Sequence, residues 1–389
     1  MNFPTHFLHR TSTSRLVYGE GVIARMAQEL LDMGVKRPVL VAGARTAASR
    51  VYGQVRQALQ PLNVAQLTGM PEHSPITEVR RLCDLARLHQ CDGFVAVGGG
   101  SASDACKAAA LWLAEGGELA EHATRFIPPD QLHSPVLKAE KLPVIAVPTT
   151  LSAAEVTAGG SVRTEDGRKL ILVDPAVAAR LILIDPIASL EVPAAIFLAS
   201  GMNGLAHCIE GYYSRVRTPI TSALALEAMR LFMRALPTVA QQPDSADARG
   251  LALVAAHLSG QVLLNARSCI HHAACHSLGA VAGISHGEAN SIMLPHAMTF
   301  NLADNQARQD LAECALALGA TQASAQTAVE RVRWLQQQLG VPSRLRDTAI
   351  THDQLAEVAE AMMGEKGLYV NPRRVTQANE ALELLEAAW

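Results

Sequence analysis

Apolar and polar positions follow two different periods along this chain. Residues 38–42 (PVLVA) form a short apolar run between turn-like residues, the pattern of a buried strand. The stretch 44–59 is compatible with a helix. Residues 76–90 (ITEVRRLCDLARLHQ) place apolar side chains at helical spacing with charges on the other face. GFVAVGGGS then predicts a second buried strand running into a glycine turn, and 101–115 returns to helical composition. A further apolar run, LPVIAVPTT, begins at Leu142. Two extended candidates, around 160–163 and 170–173, flank the turn signal Glu165-Asp166-Gly167, and the run LILID ends at Asp185 just before Pro186.

Strands alternating with helices through about residue 187 predict an α/β fold with a parallel sheet and crossover helices. After Pro193 the pattern changes to long Ala/Leu/Glu-rich segments such as ITSALALEAMRLFMRALP and DARGLALVAAHLSGQVLL, with no further convincing strand. The expected organisation is an N-terminal nucleotide-binding α/β domain over 1–187 and an all-helical domain over 188–389. The segment 236–248 reads as a loop between helices. A chain of 389 residues is long enough for two cores.

Composition supports this division: 49% of residues are hydrophobic and only 4% aromatic, a balance that favours helices over a sandwich of strands. A net charge of -3 provides no basic field for nucleic acid or an anionic membrane. The seven cysteines are scattered and contain no CxxC pair, which predicts buried thiols in a reducing compartment. The start of the chain lacks a secretory pattern, and no apolar run approaches a membrane span, so the cytoplasm is the expected location.

Candidate chemistry begins at Val97-Gly98-Gly99-Gly100-Ser101, at a strand-to-helix junction. Glycines allow positive φ and close approach of a ligand, Ser101 is expected to cap the helix, and the helix start suits a pyrophosphate. The pattern is not GxGxxG, and a glycine turn of this kind also occurs without a ligand. Asp104 and Lys107, three residues apart, read as a surface ion pair. Pro148-Thr149-Thr150 ends the next strand, where an open parallel sheet binds ligands; its hydroxyls suit phosphate or ribose.

The helical half carries the stronger signal. Asn203 and His207 lie one helical turn apart, as do His272 and His276, and His286 and His296 follow. An i, i+4 pair on one helix face is a common metal-ligand spacing. His207, His272 and His286, with Asn203 as a weak oxygen ligand, are candidate ligands of one Zn2+ or Fe2+ ion.

These segments resemble the iron-type alcohol dehydrogenases nearly end to end. GGGSASDACKAAA is similar to that family's glycine turn, and PTTLSAAEVT to the segment after the next strand. SGMNGLAHCIEGYYS and HHAACHSLGAVAGISHGEANSIMLPHAMTFN resemble its metal-binding helices and loop, and NPRRVTQANEALELLEAAW its C-terminus. In metal-dependent members the ligands are one Asp and three His. The resemblance places Asn203, His207, His272 and His286 at those positions. It also places His276 and Lys169 near the nicotinamide, and Ser101, Asp104, Thr149, Thr150 and Ser152 among the nucleotide contacts. Asn203 departs from the pattern, because a neutral amide replaces an anionic ligand. That replacement, the short PTT segment and the doubled His271-His272 resemble the maleylacetate reductase branch, which is thought to work without metal. Asp104, the long stretch 111–141 and SHGEAN look more like the alcohol dehydrogenases.

The resemblance implies hydride transfer between NAD(P)H and a carbonyl or alcohol in a cleft between the halves, in a homodimer. Gly43 stands where NAD-preferring relatives carry Asp, and Arg45 lies close enough in sequence to reach a 2′-phosphate, so NADPH is the expected choice. His276 is the expected proton carrier; charge on oxygen is stabilised by a bound divalent ion acting as Lewis acid or, without metal, by Lys169 or a protonated histidine of the cluster such as His272. A narrower expectation is metal-independent reduction of an unsaturated oxo-dicarboxylate such as maleylacetate, with Arg163 and Arg267 as candidate cations for the dianion. An alternative from another class is a nucleotide-binding regulator whose catalytic site has decayed.

Overall fold

A computed structural model describes residues 6–11, 13–128 and 131–389, and in it the chain divides into two compact units. One takes in residues 11–125 and 133–192; the other takes in 193–389 together with 126–132 and the described residues up to Arg10. The start of the chain, where a secretory pattern is missing, lies partly outside the described residues.

The first unit is built on a six-stranded sheet: β1 (Arg15–Tyr18), β2 (Pro38–Ala42), β3 (Ala65–Thr68), β4 (Gly93–Gly98), β7 (Val144–Pro148) and β10 (Leu181–Ile184). Its order is β1-β10-β7-β4-β2-β3, and every pairing is parallel. The central strands β2 and β7 are buried at all positions, which is why they read as continuous apolar runs rather than alternating ones. Helices α1 (Met26–Asp32), α2 (Ala44–Ala47), α3 (Arg50–Ala58), α4 (Ile76–Leu88) and α5 (Gly100–Glu115) connect the strands. In β4 and β7 the register sets Gly98 beside Pro148, so the glycine turn and the Thr149-Thr150 turn emerge side by side. A short pair, β5 (Arg125–Ile127) and β6 (Gln131–His133), precedes β7.

The pair β8 (Gly159–Arg163) and β9 (Lys169–Val173) forms an antiparallel hairpin around Glu165-Asp166-Gly167, with Gly167 at φ 84. Asp104 of α5 accepts hydrogen bonds from Ser161 N (2.9 Å) and Ser161 Oγ (3.2 Å), which ties this hairpin to the helix. Lys107, expected on the surface, is instead 1% exposed. Its ammonium donates to the carbonyls of Thr157 and Gly159, both at 2.8 Å, to Thr157 Oγ1 and to Ala154 O. Burial pushes it down to about 8, against the opposing pull of Asp104 and Glu155.

The second unit is helical. Its members are α6 (Ala194–Tyr213), α7 (Pro219–Gln241), α8 (Ala246–Ala266), α9 (Ile270–Ala282), α10 (His286–Asn301), α11 (Asn305–Ala317), α12 (Ala325–Leu339), α13 (Gln354–Met362), α14 (Gly367–Val370) and α15 (Ala378–Ala388). Helix α6 packs against α7, α8, α10 and α11 and is buried along most of its length. Gly211 makes the α6–α8 approach possible, because a Cβ there would lie 2.2 Å from Val262 Cγ1. Helices α9, α10, α13 and α15 share one apolar core that includes Ile270, Leu278, Ile292, Met362 and Leu384.

Several sequence expectations differ from this fold. The expected helix over 44–59 breaks after α2, and Ser49 restarts it by accepting from Tyr52 N (3.4 Å). The expected loop over 236–248 is helical through Gln241, with Pro237 inside α7. The strands β1, β3, β5 and β6 have weak apolar patterns and were not foreseen. All seven cysteines are free thiols, six of them buried. No helix among the described residues is long and apolar enough to cross a membrane.

Replacing Lys107 with Met would remove the ammonium from the carbonyls of residues 154, 157 and 159, leaving the Thr157 hydroxyl as the remaining side-chain donor to 154 and 159. The expected cost is about 2–4 kcal/mol, read as a lowered thermal midpoint; an unchanged midpoint would mean that the cation is dispensable.

Candidate active site

Helix α6 presents Asn203, His207 and Glu210 at intervals of four and three residues, so they share one face. Helix α9 brings His272 and His276 to the same place from its first two turns, and His286 opens α10 after the capping residue Ser285. The ring centres of His207 and His272 are 4.8 Å apart and stacked. His272 lies 6.1 Å from both His276 and His286, and His276 stacks on His286 at 5.7 Å. The structure therefore gathers the four histidines His207, His272, His276 and His286. His296 stands apart on α10, pushed down to about 4 by burial and then by Arg333 and Arg344.

Glu210 organises the cluster. One carboxylate oxygen accepts from Cys269 N and His271 N, both at 2.9 Å, at the start of α9. The other accepts from His272 Nδ1 and lies 3.7 Å from His271 Nδ1. Helix starts favour a negative charge, so a buried carboxylate is at home there. Burial alone would raise Glu210, but His272 and His271 outweigh it and hold the carboxyl below the usual range. His271 is turned the other way and donates through Nε2 to Asn290 O (3.0 Å), which joins α9 to α10. His207 is buried, and that burial, followed by His272, moves it well below its usual value. Nothing among the described residues partners its Nδ1.

A divalent ion on His207, His272, His286 and Asn203 needs the lone pair of His272 Nε2. That nitrogen lies 3.1 Å from Asn203 Oδ1, at hydrogen-bond distance. Among the described residues, the group of ligand-type side chains whose donor atoms lie within 4.8 Å of one another is Glu210, His271 and His272. Its members are committed to each other and to backbone groups. The expected set also lacks an anionic oxygen. A divalent ion on the expected set would therefore rest on three imidazoles and one neutral amide, a weaker donor set than one with a carboxylate.

The other unit holds the nucleotide-type features. Gly98 has φ 126, and a Cβ there would lie 3.0 Å from Thr46 Oγ1. A Cβ at Gly99 would meet Thr150 at 3.3 Å, and one at Gly100 would lie 3.6 Å from Ser152 Oγ. The turn thus brings Gly98, Gly99, Gly100, Thr150 and Ser152 together, with Thr149 N donating to Gly98 O at 3.0 Å. The N-cap of α5 is Gly99, with no side-chain cap, so Ser101 does not cap as expected but lies within the first turn. An uncapped helix start with close-packed glycines fits a pyrophosphate. Asp104 Oδ2 accepts from Ser161 N and Oγ, which ties it to the β8–β9 hairpin. Gly43 begins α2, and Arg45 is exposed on it. Lys169 and Arg163 are exposed at adjoining ends of the β8–β9 hairpin, where they pair in register. Arg267 ends α8 in the helical unit with a left-handed φ of 61.

Sequence reading missed Glu210 and Glu365. Glu210 lies three residues after His207 and shares its helix face, a signal that was present. Glu365 accepts from His276 Nδ1 at 3.1 Å across 89 residues, which no local pattern announces.

Residues 13–186 match the family model described as iron-containing alcohol dehydrogenase, and 197–389 match the C-terminal model of the Fe-containing alcohol dehydrogenase family. A maleylacetate reductase of Pseudomonas sp. (strain P51) is 30% identical over 95% of this chain and 94% of its own length. An NAD-dependent methanol dehydrogenase of Bacillus methanolicus is 27% identical over 92% and 94%. The solved structure of a 1,3-propanediol oxidoreductase superposes with a TM-score of 0.90 at 27% identity, covering 99% of this chain and 100% of that one.

Asn203→Asp restores a carboxylate beside His272 and His207. Affinity for Zn2+ is expected to rise at least about tenfold, read as metal content after equilibrium dialysis. Equal content in both proteins would show that the amide is not what weakens binding.

Proposed function

The chain belongs to the iron-containing alcohol dehydrogenase family and is an oxidoreductase, and from that footing we propose that it interconverts a carbonyl and an alcohol with NAD(P)H. The family acts on small-molecule alcohols and aldehydes and works with NAD(P) and a divalent metal. The observation that carries the reading is the gathering of His207, His272, His276 and His286 around a carboxylate-held His272. A nicotinamide cofactor would supply the hydride. Backbone N–H groups at the start of α5 would hold its pyrophosphate, with the Thr149, Thr150 and Ser152 hydroxyls as further candidate contacts. The carbonyl carbon takes the hydride, and its oxygen takes a proton from His276. His272, held by Glu210 and Asn203, is the candidate for stabilising the growing negative charge through the charge of its ring, with Lys169 a second candidate for that role.

Asn203 favours the narrower version of this chemistry, metal-independent reduction of an unsaturated oxo-dicarboxylate such as maleylacetate. The neutral amide accepts from His272 Nε2 where a metal-dependent relative carries an anionic ligand. Arg163 and Arg267 are candidate partners for the two carboxylates. The intact histidine cluster leaves a decayed regulator without support. A homodimer in the cytoplasm remains the expected setting.

Purified protein is expected to oxidise NADPH or NADH with maleylacetate, to keep that activity after chelation with EDTA, and to lose about a hundredfold in kcat on His276→Ala. Full turnover by the His276→Ala protein would remove His276 from the mechanism. Loss of activity on chelation would restore the metal-dependent reading.

NADPH is the preferred cofactor in this reading, because Gly43 follows β2 where an acid would repel a 2′-phosphate, and Arg45, two residues on, is an exposed cation. Arg45→Ala is expected to raise the KM for NADPH about tenfold and leave that for NADH unchanged, a loss of about 1.4 kcal/mol. Equal effects on both cofactors would remove Arg45 from discrimination.

A further inference from the structure

Two carboxylates hold histidines of the cluster, and they differ in access to water. The Glu210–His272 pair is sealed, with side chains 0% and 5% exposed. The Glu365–His276 pair is open, at 28% and 22%. A group that takes protons from solvent needs such an opening, whereas a sealed pair can orient but not exchange.

Glu365 is not a loose surface acid. It lies in the turn between α13 and α14, where its N–H donates to Met362 O at 2.9 Å and its carbonyl accepts from Leu368 N at 3.2 Å. The backbone just beyond it presses on the start of α9, since a Cβ at Gly367 would lie 2.4 Å from Cys269 O. Asn371 closes the same contact. It accepts from Ile270 N at 3.4 Å and is bonded reciprocally to Asn301 at 2.8 and 3.1 Å. The turn carrying Glu365 is thus anchored to the helix that carries His276, and the 3.1 Å contact between them follows from that anchoring.

We propose that Glu365 is a positioning residue that holds His276 as its Nδ1–H tautomer, so that Nε2 is the nitrogen serving the reacting oxygen. The inference rests on the role assigned to His276 above and adds the group that sets its orientation. In the reducing direction a proton from water reaches Nε2 and passes to the oxygen as the carbon receives the hydride. Nδ1–H stays on Glu365 throughout, and the carboxylate is not itself protonated. The logic is that of any base whose far nitrogen is held by a carboxylate.

The test uses the full-length protein labelled with 15N-histidine, whose His276 resonances are assigned by their disappearance in His276→Ala. The wild type is expected to show His276 protonated at Nδ1, Glu365→Asp to keep that signature, and Glu365→Ala to lose it. With maleylacetate and NADPH as probe, kcat is expected to fall about ten- to a hundredfold in Glu365→Ala, with KM for NADPH within about twofold of wild type and recovery in Glu365→Asp. An Nε2–H tautomer in the wild type, or the same Nδ1–H signature in Glu365→Ala, overturns the proposal. So does a loss of kcat that Glu365→Asp does not recover and that tracks a lowered thermal midpoint. Failure of His276→Ala to slow turnover removes the parent reading instead, while the tautomer result still decides whether Glu365 orients the ring.

Discussion

A single buried carboxylate sets the arrangement of the helical unit. Glu210 has no access to water, and an ionised carboxylate in that position is stable only when its acceptor capacity is filled. The start of α9 supplies two backbone N–H groups and His272 supplies Nδ1–H. These partners lie about sixty residues further along the chain, so satisfying Glu210 requires α6 and α9 to meet end against face. Once they meet, His272 stacks on His207 and faces Asn203. The geometry of the candidate site follows from the need to pair one buried charge.

The nucleotide unit solves a comparable problem with a cation. Lys107 replaces missing hydrogen bonds for a loop that leaves the sheet between β7 and β8, and Asp104 on the same helix fixes the following hairpin. Two residues of α5 thus organise the segments that surround the glycine turn. The N–H groups at the start of that helix receive no side-chain cap. A side-chain cap there would compete with an anion.

The neutral residue at Asn203 gives the cluster its character. A carboxylate there would add negative charge beside His207 and His272 and draw a divalent ion. The amide instead accepts one hydrogen bond and adds no charge. Orientation of His272 then depends on Glu210 and Asn203 together, and orientation of His276 on a different carboxylate in a more open place. Burial separates the two roles: the sealed pair holds its ring, and the open pair can exchange with solvent.

The amino-acid order by itself determined the strand-helix alternation of the first half, the glycine turn, and the helical character after Pro193. Each of these is written in local periodicity and turn chemistry, which act over a few residues. It also marked Asn203, His207, His272, His276 and His286 as a set, because i, i+4 spacing is a local signal and the flanking segments resemble a known family. It did not reveal β1 or β3, whose short, half-polar edge patterns are stabilised by pairing rather than by their own composition. It misjudged Lys107 and Ser101, since a lysine in a helix and a serine after glycines have common surface and capping roles that only packing overrides. Glu210 and Glu365 gained their meaning from tertiary structure alone. A carboxylate's role depends on which groups it must satisfy, and those groups arrive from segments distant in the chain.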